Sequence, residues 1–347
     1  MTPVRAAVVG LGGIAEEHLS KLRKLEGVEV VGICDLSRTL VDAVGERYGV
    51  GPGYTSYELM LEEAKPDVVH VLTPPATHLD LVLAALESGA HAFVEKPIAP
   101  SLAEYEQMRD AAGSRGLLLV ENYNYLFMDV VQRALDLVGS SQVGEAVNLD
   151  VSMGVSLAGP TYADPEIPHF GHLLPGGALR NFASHPASIA TAVLGDEWTS
   201  VGVSQRRLQE GLPSKDELRA LVGNDRVSAA ISITSHSQPS EFVFVLRCTE
   251  ATLECDVFGQ RLAIAAGGSP LAKVGGDLKQ GLGRIAAAAA TMRRATTTRE
   301  GYFQGFERLL GGFYAAVAAG TEPPISIARM DATNRLVEEL LAPENQL

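Results

Sequence analysis

The chain is poor in cysteine, in positive charge and in long apolar runs. Its 347 residues include three cysteines, whose spacing matches neither a metal site nor a redox motif. The formal net charge of −14 argues against a nucleic-acid partner and against binding to an anionic membrane surface. The longest alanine run, residues 286–290, is far too short to cross a bilayer.

The N-terminus also lacks the pattern of a secretory signal. The apolar run at residues 4–9 is too short for one and leads directly into a glycine turn. We therefore predict a cytoplasmic protein with reduced thiols and with no nucleic-acid or membrane partner. With 46% apolar and 20% charged residues the composition is that of a globular protein, and the length predicts two domains.

Strand and helix patterns alternate through the first third of the chain. Apolar strand patterns occupy residues 4–9, 28–34, 67–72, 90–94 and 117–120. Helix patterns lie between them, and Ser37 and Ser101 are expected to cap two of these helices. Near-continuous apolar strands separated by helices predict an α/β fold with a parallel sheet that is covered on both faces.

After about residue 122 the strand patterns follow one another directly. They occupy residues 146–156, 199–208, 218–222, 227–235, 241–247 and 252–257, and helix patterns at 302–319 and 331–341 close the chain. This order predicts a second region with a mixed or antiparallel sheet and helices on one face.

The glycine turn at residues 10–15 (GLGGIA) joins the first strand to the first helix. It fits the dinucleotide-binding fingerprint with alanine at the third small position. The first glycine permits the tight turn, the second lets the backbone approach a pyrophosphate, and the alanine lets the helix pack on the strand. The N-terminus of the helix favours a phosphate. We expect cofactor contacts from Gly10, Gly12, Gly13, Ile14 and Ala15.

Asp35 ends the second strand about 20 residues after this turn, where a carboxylate hydrogen-bonds the adenosine ribose of NAD. Its charge repels a 2′-phosphate, so NAD is favoured over NADP. Arg38 could stack on the adenine or weaken that repulsion, which keeps NADP possible.

Further candidates follow the third and fifth strands, at the edge of the sheet where ligands bind. Thr73, Pro74, Pro75 and His78 follow the third strand and are expected to border the cofactor. Simple packing is an equal alternative for His78. Asn122 follows the fifth strand and could contact nicotinamide or substrate.

The fourth strand ends in Glu95-Lys96-Pro97. An ammonium group at this edge would lie where the nicotinamide is expected. The competing interpretation is a surface ion pair between Glu95 and Lys96 at the end of a strand.

Together, the glycine turn, residues 73–78 (TPPATH) and the Glu-Lys-Pro motif, followed by a strand-rich second half, resemble the glucose–fructose oxidoreductase / inositol dehydrogenase / rhizopine-catabolism (Gfo/Idh/MocA) family. The resemblance implies a two-domain NAD(P)-dependent oxidoreductase acting on sugars, cyclitols or nucleotide-sugars. It also implies a cis Pro97 and a homodimer or homotetramer that packs through the open sheet of the second domain.

On this basis we place a Rossmann NAD(P)-binding domain at residues 1–122. We place a C-terminal α/β substrate-binding and oligomerisation domain with a large open, mostly antiparallel sheet at residues 123–347. The last helix is expected to pack back on the first domain.

The resemblance also implies catalytic roles. Lys96 would orient and polarise the substrate oxygen, with a pKa lowered by the cationic nicotinamide. His185 would be the general acid–base. Asn181 stands one helical turn earlier, where the family usually has aspartate. Because asparagine cannot stabilise an imidazolium by charge, His185 should be a weaker base, and Lys96 should carry more of the proton transfer.

The sequence therefore predicts an NAD(H)-dependent oxidoreductase that transfers a hydride between nicotinamide and a sugar, cyclitol or nucleotide-sugar alcohol or ketone. Two alternatives stay open: a redox-neutral lyase or glycosidase that uses NAD, and a catalytically degenerate dinucleotide-binding protein. No metal site is predicted, because the histidines near residue 185 lack an acidic partner.

Overall fold

The patterns of the first third form a six-stranded parallel sheet in a computed structural model, which describes residues 2–156, 170–208, 215–267, 281 and 304–342. Its strands are β1 (Val4–Val9), β2 (Val28–Cys34), β3 (Gly53–Tyr54), β4 (Val68–Val71), β5 (His91–Val94) and β6 (Leu119–Glu121). The order is β3-β2-β1-β4-β5-β6 and every neighbouring pair is parallel. This strand order confirms the predicted Rossmann sheet.

The helices of this region are α1 (Ala15–Leu22), α2 (Arg38–Tyr48), α3 (Tyr57–Ala64), α4 (His78–Glu87) and α5 (Leu102–Arg115). The predicted caps are confirmed: the hydroxyl of Ser37 accepts the Leu40 N–H at 3.4 Å, and that of Ser101 accepts the Glu104 N–H at 3.3 Å. Each cap satisfies an N–H that has no partner inside the helix.

The second sheet has seven strands: β7 (Ala146–Ser156), β8 (Thr199–Arg206), β9 (Glu217–Gly223), β10 (Ser228–Thr234), β11 (His236–Cys248), β12 (Ala251–Asp256) and β13 (Arg261–Ala266). Its order is β13-β12-β11-β7-β10-β9-β8. All neighbouring pairs are antiparallel except β7 and β10, which confirms the mostly antiparallel sheet.

Four further helices complete the described chain: α6 (Asp129–Gly139), α7 (Ala178–Leu194), α8 (Gln304–Ala319) and α9 (Ile327–Leu341). Helix α7 packs on β7, β9 and β10. Residues of these strands alternate between buried apolar positions and partly exposed positions. The buried positions therefore form one face of the sheet, which α7 covers.

The chain divides into two compact units. The first contains Met1–Asn122 and Glu307–Met330, and the second contains Tyr123–Phe306 and Asp331–Leu347. We expected the last helix to pack on the first unit. Most of α8 groups with the first unit and most of α9 with the second, and the packing of the last helix on the first unit stays a prediction. That residues 1–122 and residues 123–347 form two independent domains stays a prediction.

Within the described ranges, no helix combines the length and the apolar character that a membrane crossing needs.

Candidate functional site

The glycine turn between β1 and α1 lies against the loop that follows β4. Gly10 has φ +90°, and a Cβ atom placed there would lie 2.8 Å from the backbone nitrogen of Thr73. Both the dihedral angle and this close approach require glycine.

Gly12 and Gly13 have a different environment. Both are exposed, and a Cβ atom at either position would meet no atom within 4 Å. The N-terminus of α1 begins here, with Ile14 as its N-cap and with Ala15 buried against the sheet. The first N–H groups of a helix have no acceptor within it. An open backbone surface beside such groups fits the pyrophosphate of a dinucleotide.

Asp35 is fixed beside this turn. One carboxylate oxygen accepts the Leu11 N–H at 2.8 Å, and the other accepts the Ser37 N–H at 2.9 Å. Each carboxylate oxygen has a second lone pair and can accept a further hydrogen bond. The Arg38 guanidinium lies 3.7 Å from the Asp42 carboxylate, one helical turn along α2.

The loop after β4 has one exposed and one buried proline. Pro74 is exposed, whereas Pro75 is buried and begins a short 3₁₀ helix, Pro75–Thr77. Thr73 is half-buried, and its hydroxyl accepts a hydrogen bond from the Thr77 hydroxyl at 2.8 Å. Pro74, Ala76 and Thr77 of this loop are therefore accessible to a ligand, Thr73 is partly accessible, and Pro75 is not.

His78 is fully buried below this loop. Its Nε2 lies 2.7 Å from the Thr73 carbonyl oxygen and its Nδ1 lies 3.0 Å from that of Ile98. Burial lowers the pKa of His78, although the two carbonyl oxygens act in the opposite direction. The ring therefore links the loop after β4 to the loop after β5 through hydrogen bonds. Contact of His78 with a cofactor stays a prediction.

Glu95, at the end of β5, is a buried carboxylate with three hydrogen-bond donors. Its Oε1 accepts from His18 Nε2 at 2.9 Å and from Asn122 Nδ2 at 2.7 Å, and its Oε2 accepts the Lys96 backbone N–H at 3.2 Å. Burial alone would raise the pKa of Glu95, but His18, Asn122 and Lys96 outweigh it and lower the pKa. A surface ion pair is therefore the wrong interpretation of this motif.

Lys96 is half-buried and precedes a cis Lys96–Pro97 peptide bond, as the resemblance implied. Burial lowers its pKa below the ordinary lysine value, while the Glu95 and Glu121 carboxylates act in the opposite direction. Glu121 is fully buried and accepts the Ile98 N–H at 3.2 Å. A lysine with a lowered pKa releases its proton more readily than an ordinary lysine.

Asn122 is buried beside Glu95 and leaves one atom unsatisfied. Its Oδ1 has no hydrogen-bond partner among the described residues. A buried amide oxygen without a partner is uncommon in proteins and suits a donor from a bound molecule, such as an amide group.

Three residues that the sequence interpretation missed connect to Glu95. His18 Nδ1 lies 2.9 Å from His70 Nδ1, and His70 Nε2 lies 2.8 Å from the Tyr314 hydroxyl. All three are buried. The available signal was His70 itself, a polar residue within the otherwise apolar β4, because a buried polar group needs a partner.

The second unit contains the other two predicted catalytic residues. Asn181 and His185 both lie on α7 and are buried, at 2% and 4% exposure. The Tyr125 ring, which the sequence interpretation also missed, meets the His185 ring edge-on with centroids 4.5 Å apart. The Ser188 hydroxyl donates to the His185 carbonyl oxygen at 2.8 Å. The catalytic roles of Asn181 and His185 stay a prediction.

In the part of the chain that the structure describes, no three histidine, cysteine, aspartate or glutamate side chains are grouped so that they could hold a metal ion.

Comparison with known proteins agrees with this geometry. Residues 4–123 match the GFO_IDH_MocA family model, described as an oxidoreductase family with an NAD-binding Rossmann fold. The chain is 29% identical over 200 residues to D-glucoside 3-dehydrogenase of Escherichia coli, covering 56% of this chain and 55% of that protein. It is 37% identical over 159 residues to glycosyl hydrolase family 109 protein 2 of Akkermansia muciniphila, covering 41% of this chain and 33% of that protein.

The chain therefore spans about half, or less, of the length of these two curated relatives. Over almost the whole chain it is similar in fold to an oxidoreductase from Agrobacterium radiobacter, crystallised with NAD+, L-tartaric acid and magnesium. The TM-score is 0.79 at 17% identity, with 99% of this chain and 97% of that chain covered.

Proposed function

We propose that the protein is an NAD(H)-dependent oxidoreductase of the Gfo/Idh/MocA family that acts on sugar-like alcohols or ketones. Residues 4–123 match that family's model, which is described as an oxidoreductase family with an NAD-binding Rossmann fold. The observation that carries the proposal is Lys96: an amine with a lowered pKa follows β5, on the sheet edge that also bears the open glycine turn. Relatives that act on sugars support the substrate class.

Lys96 orients the reacting oxygen and exchanges its proton. In the charged state the amine donates a hydrogen bond to a ketone oxygen, and in the neutral state it accepts the proton of an alcohol. The fixed carboxylates of Glu95 and Glu121 set the balance between these states, because a negative neighbour favours the ammonium.

The nucleotide-binding groups are assigned from the first unit. NAD(H), when bound, supplies or accepts the hydride. The open backbone at Gly12 and Gly13 binds the pyrophosphate, and Asp35 accepts hydrogen bonds from the ribose. The Asp35 charge repels a 2′-phosphate, so NAD is preferred over NADP.

His185 is assigned as the second proton-exchanging group, and Asn181 as the residue that orients it or a substrate hydroxyl. The carboxylate expected at residue 181 is replaced by a neutral amide, so a positive charge on His185 receives no ionic support from this position. Lys96 is for this reason the principal acid–base group.

The test is a panel of sugars, cyclitols and nucleotide-sugars with NAD and NADP, followed by absorbance of the reduced nicotinamide. We expect net NADH formation with at least one sugar-like alcohol, and a lower KM for NAD than for NADP. Tight NAD binding without turnover of any compound would overturn the redox assignment and favour a degenerate dinucleotide-binding protein.

A redox-neutral glycosidase or lyase is the second candidate, and the 37% identity to a glycosyl hydrolase family 109 protein favours it. The same panel separates the two. Cleavage of a glycoside without net change in NADH, in a protein that needs NAD, would support the second candidate and overturn the first.

We further propose a homo-oligomer that packs through the open face of the second sheet. That face exposes Leu221, at 54%, beside a groove of about 570 Å³ along β7, β9 and β10. Exposed apolar side chains on a sheet face suit a partner surface.

Sedimentation analysis tests this interface. Leu221→Glu is expected to shift the protein toward the monomer, because it places a charge in the proposed contact. Leu59→Glu, which changes a similarly exposed leucine on α3, is the matched control and should leave the assembly unchanged. A wild-type monomer at all concentrations would contradict the proposal.

A cytoplasmic location is proposed as well. Its support is that the three cysteines, Cys34, Cys248 and Cys255, are free.

A further inference from the structure

A buried chain of hydrogen bonds leads from Tyr314 on α8 to Glu95, all of it within the first unit. The order is Tyr314, His70, His18 and Glu95, with successive donor–acceptor distances of 2.8, 2.9 and 2.9 Å. We call these four residues the Tyr–His–His–Glu chain. Its members are at most 8% exposed, so water does not compete for these bonds.

The rings in the chain are held by packing as well as by hydrogen bonds. His70 stacks on Phe93 with centroids 5.0 Å apart and on Tyr314 with centroids 5.9 Å apart. His18 meets His70 edge-on at 5.1 Å. The positions of the ring nitrogens are therefore set by the core, and the hydrogens must follow them.

The partners determine the direction of the chain. An ionised Glu95 accepts only, so His18 carries a hydrogen on Nε2 and, when neutral, has a bare Nδ1. His70 must then donate from Nδ1, and its bare Nε2 accepts from the Tyr314 hydroxyl. Each of the three contacts contains one hydrogen in this arrangement.

Burial supports the neutral state of His70. Burial lowers the pKa of His70 well below the ordinary histidine value. The Tyr314 phenol stays protonated, because burial raises its pKa well above the ordinary tyrosine value. Tyr314 is thus a permanent donor at the outer end of the chain.

We propose that His18, His70 and Tyr314 are positioning residues that hold Glu95 ionised and fixed in place, and thereby set the pH at which Lys96 exchanges its proton. The inference rests on the proposed function for its catalytic meaning. The electrostatic effect on Lys96 is a property of the chain of residues itself and does not depend on a substrate.

Other charged or titratable groups lie near Lys96, Glu95 and His18 and also influence their protonation. Glu121 at the end of β6 acts on Lys96, and the fully buried His78 on α4 responds to the charge of Glu95. Near His18, Lys21 lies one turn along α1 and its ammonium is 3.7 Å from the Glu307 carboxylate on α8. None of these groups is altered by the variants below.

Interruption of the chain should lower the pKa of Lys96. Without the His18 donor, the buried Glu95 loses one of three hydrogen bonds and is more easily neutralised. A neutral Glu95 no longer favours the ammonium of Lys96.

The experiment measures the pKa of Lys96 directly, by pH-dependent acetylation of lysine amines in the full chain and mass spectrometry of the peptide that contains Lys96. His18→Phe is expected to lower this pKa by about one unit or more. Tyr314→Phe removes one oxygen and keeps the ring, and should give a smaller shift in the same direction.

Two further variants separate the proposal from a general loss of packing. Phe313→Leu disturbs the same core, since Phe313 packs edge-on against Phe93 and Tyr314, but it removes no hydrogen bond and should leave the pKa of Lys96 unchanged. His70→Gln retains a donor and an acceptor and should shift the pKa less than His70→Leu.

The outcomes are distinct. Folded His18→Phe and Tyr314→Phe proteins with an unchanged pKa of Lys96 would overturn the inference, whatever their activity. An equal shift in Phe313→Leu would do the same. If no compound in the substrate panel is turned over, the proposed function fails while the labelling result stands. In an active protein, the pH profile of kcat/KM should move with the labelled pKa.

Discussion

At the scale of single residues, the same side chain has different roles because its neighbours differ. Lys96 and Lys21 are both lysines with a carboxylate nearby. Lys21 is paired with the exposed Glu307, whereas Lys96 adjoins the buried carboxylates of Glu95 and Glu121. Lys96 also follows β5 on the sheet edge that bears the open glycine turn, where ligands of parallel sheets bind, so the acid–base role falls to Lys96.

Replacement of Lys96 tests this role. Lys96→Ala is expected to lower turnover by about two to four orders of magnitude, because it removes the group that exchanges a proton with the substrate. Lys96→Arg keeps the charge but cannot release a proton near neutral pH, and should be almost as inactive. NAD binding, measured by calorimetry, should persist in both. Near-normal turnover in either variant would refute the assignment.

Asp35 tests the preference for NAD. Asp35→Ala should weaken NAD about tenfold and affect NADP less, because the lost carboxylate binds ribose hydroxyls but repels a 2′-phosphate. Asp35 also accepts the N–H groups of Leu11 and Ser37, so the matched control is Asp35→Asn, which keeps an acceptor without the charge. Titration of each variant with both nucleotides is the measurement. Equal losses for NAD and NADP would remove the ribose assignment.

At the scale of elements, the strand ends of the parallel sheet determine where chemistry can occur. The turn after β1, the loop after β4 and the motif after β5 follow the carboxyl ends of neighbouring parallel strands, and such ends share one edge of the sheet. His78 links two of these loops through the carbonyl oxygens of Thr73 and Ile98. The fold therefore holds the loops in place before a ligand binds.

Two glycines of the turn are expected to affect different properties, Gly10 the stability of the protein and Gly13 the binding of NAD. Gly10→Ala should destabilise the protein by about 2 kcal/mol or more, because residue 10 has φ +90° and its Cβ would overlap the Thr73 backbone. Gly13→Ala has free space for the added carbon and should fold almost normally, but it should weaken NAD binding. Urea unfolding and NAD titration measure the two effects. A stable Gly10→Ala protein would contradict this account.

Most elements of the first unit could be predicted because their signals are local. The apolar strands, the glycine turn and the caps at Ser37 and Ser101 depend on residues close together in sequence. Two strands were not predicted. β3 has two residues, too few for a pattern, and β13 is a partly exposed edge strand without a clear alternation.

At the scale of the whole molecule, buried histidines couple stability to pH. Burial lowers the pKa values of His70, His78 and His91 in the folded protein. A histidine in the unfolded chain has a pKa of about 6.5. Below that pH the unfolded chain binds more protons than the folded chain. Stability is therefore full above this pH and is lost as the pH falls below it.

The expected result is a fall in the free energy of unfolding between pH 7 and pH 5, with each such histidine contributing up to about 1.4 kcal/mol per pH unit. His70→Gln removes one titrating group and should reduce the slope. Denaturant unfolding at several pH values is the measurement, kept above pH 5 because carboxylates titrate below it. A free energy that is constant over this range would contradict the prediction.

By itself the sequence determined the parallel sheet, the glycine turn, the acid at residue 35 and the Glu-Lys-Pro motif, because each depends on the residue type and spacing within a short segment. Only the tertiary structure decided the environment of Lys96. The Tyr–His–His–Glu chain joins residues 18, 70, 95 and 314, and no local pattern links positions so far apart. Hydrogen bonds of this kind form because the folded core brings buried polar groups together and leaves them no water to bind.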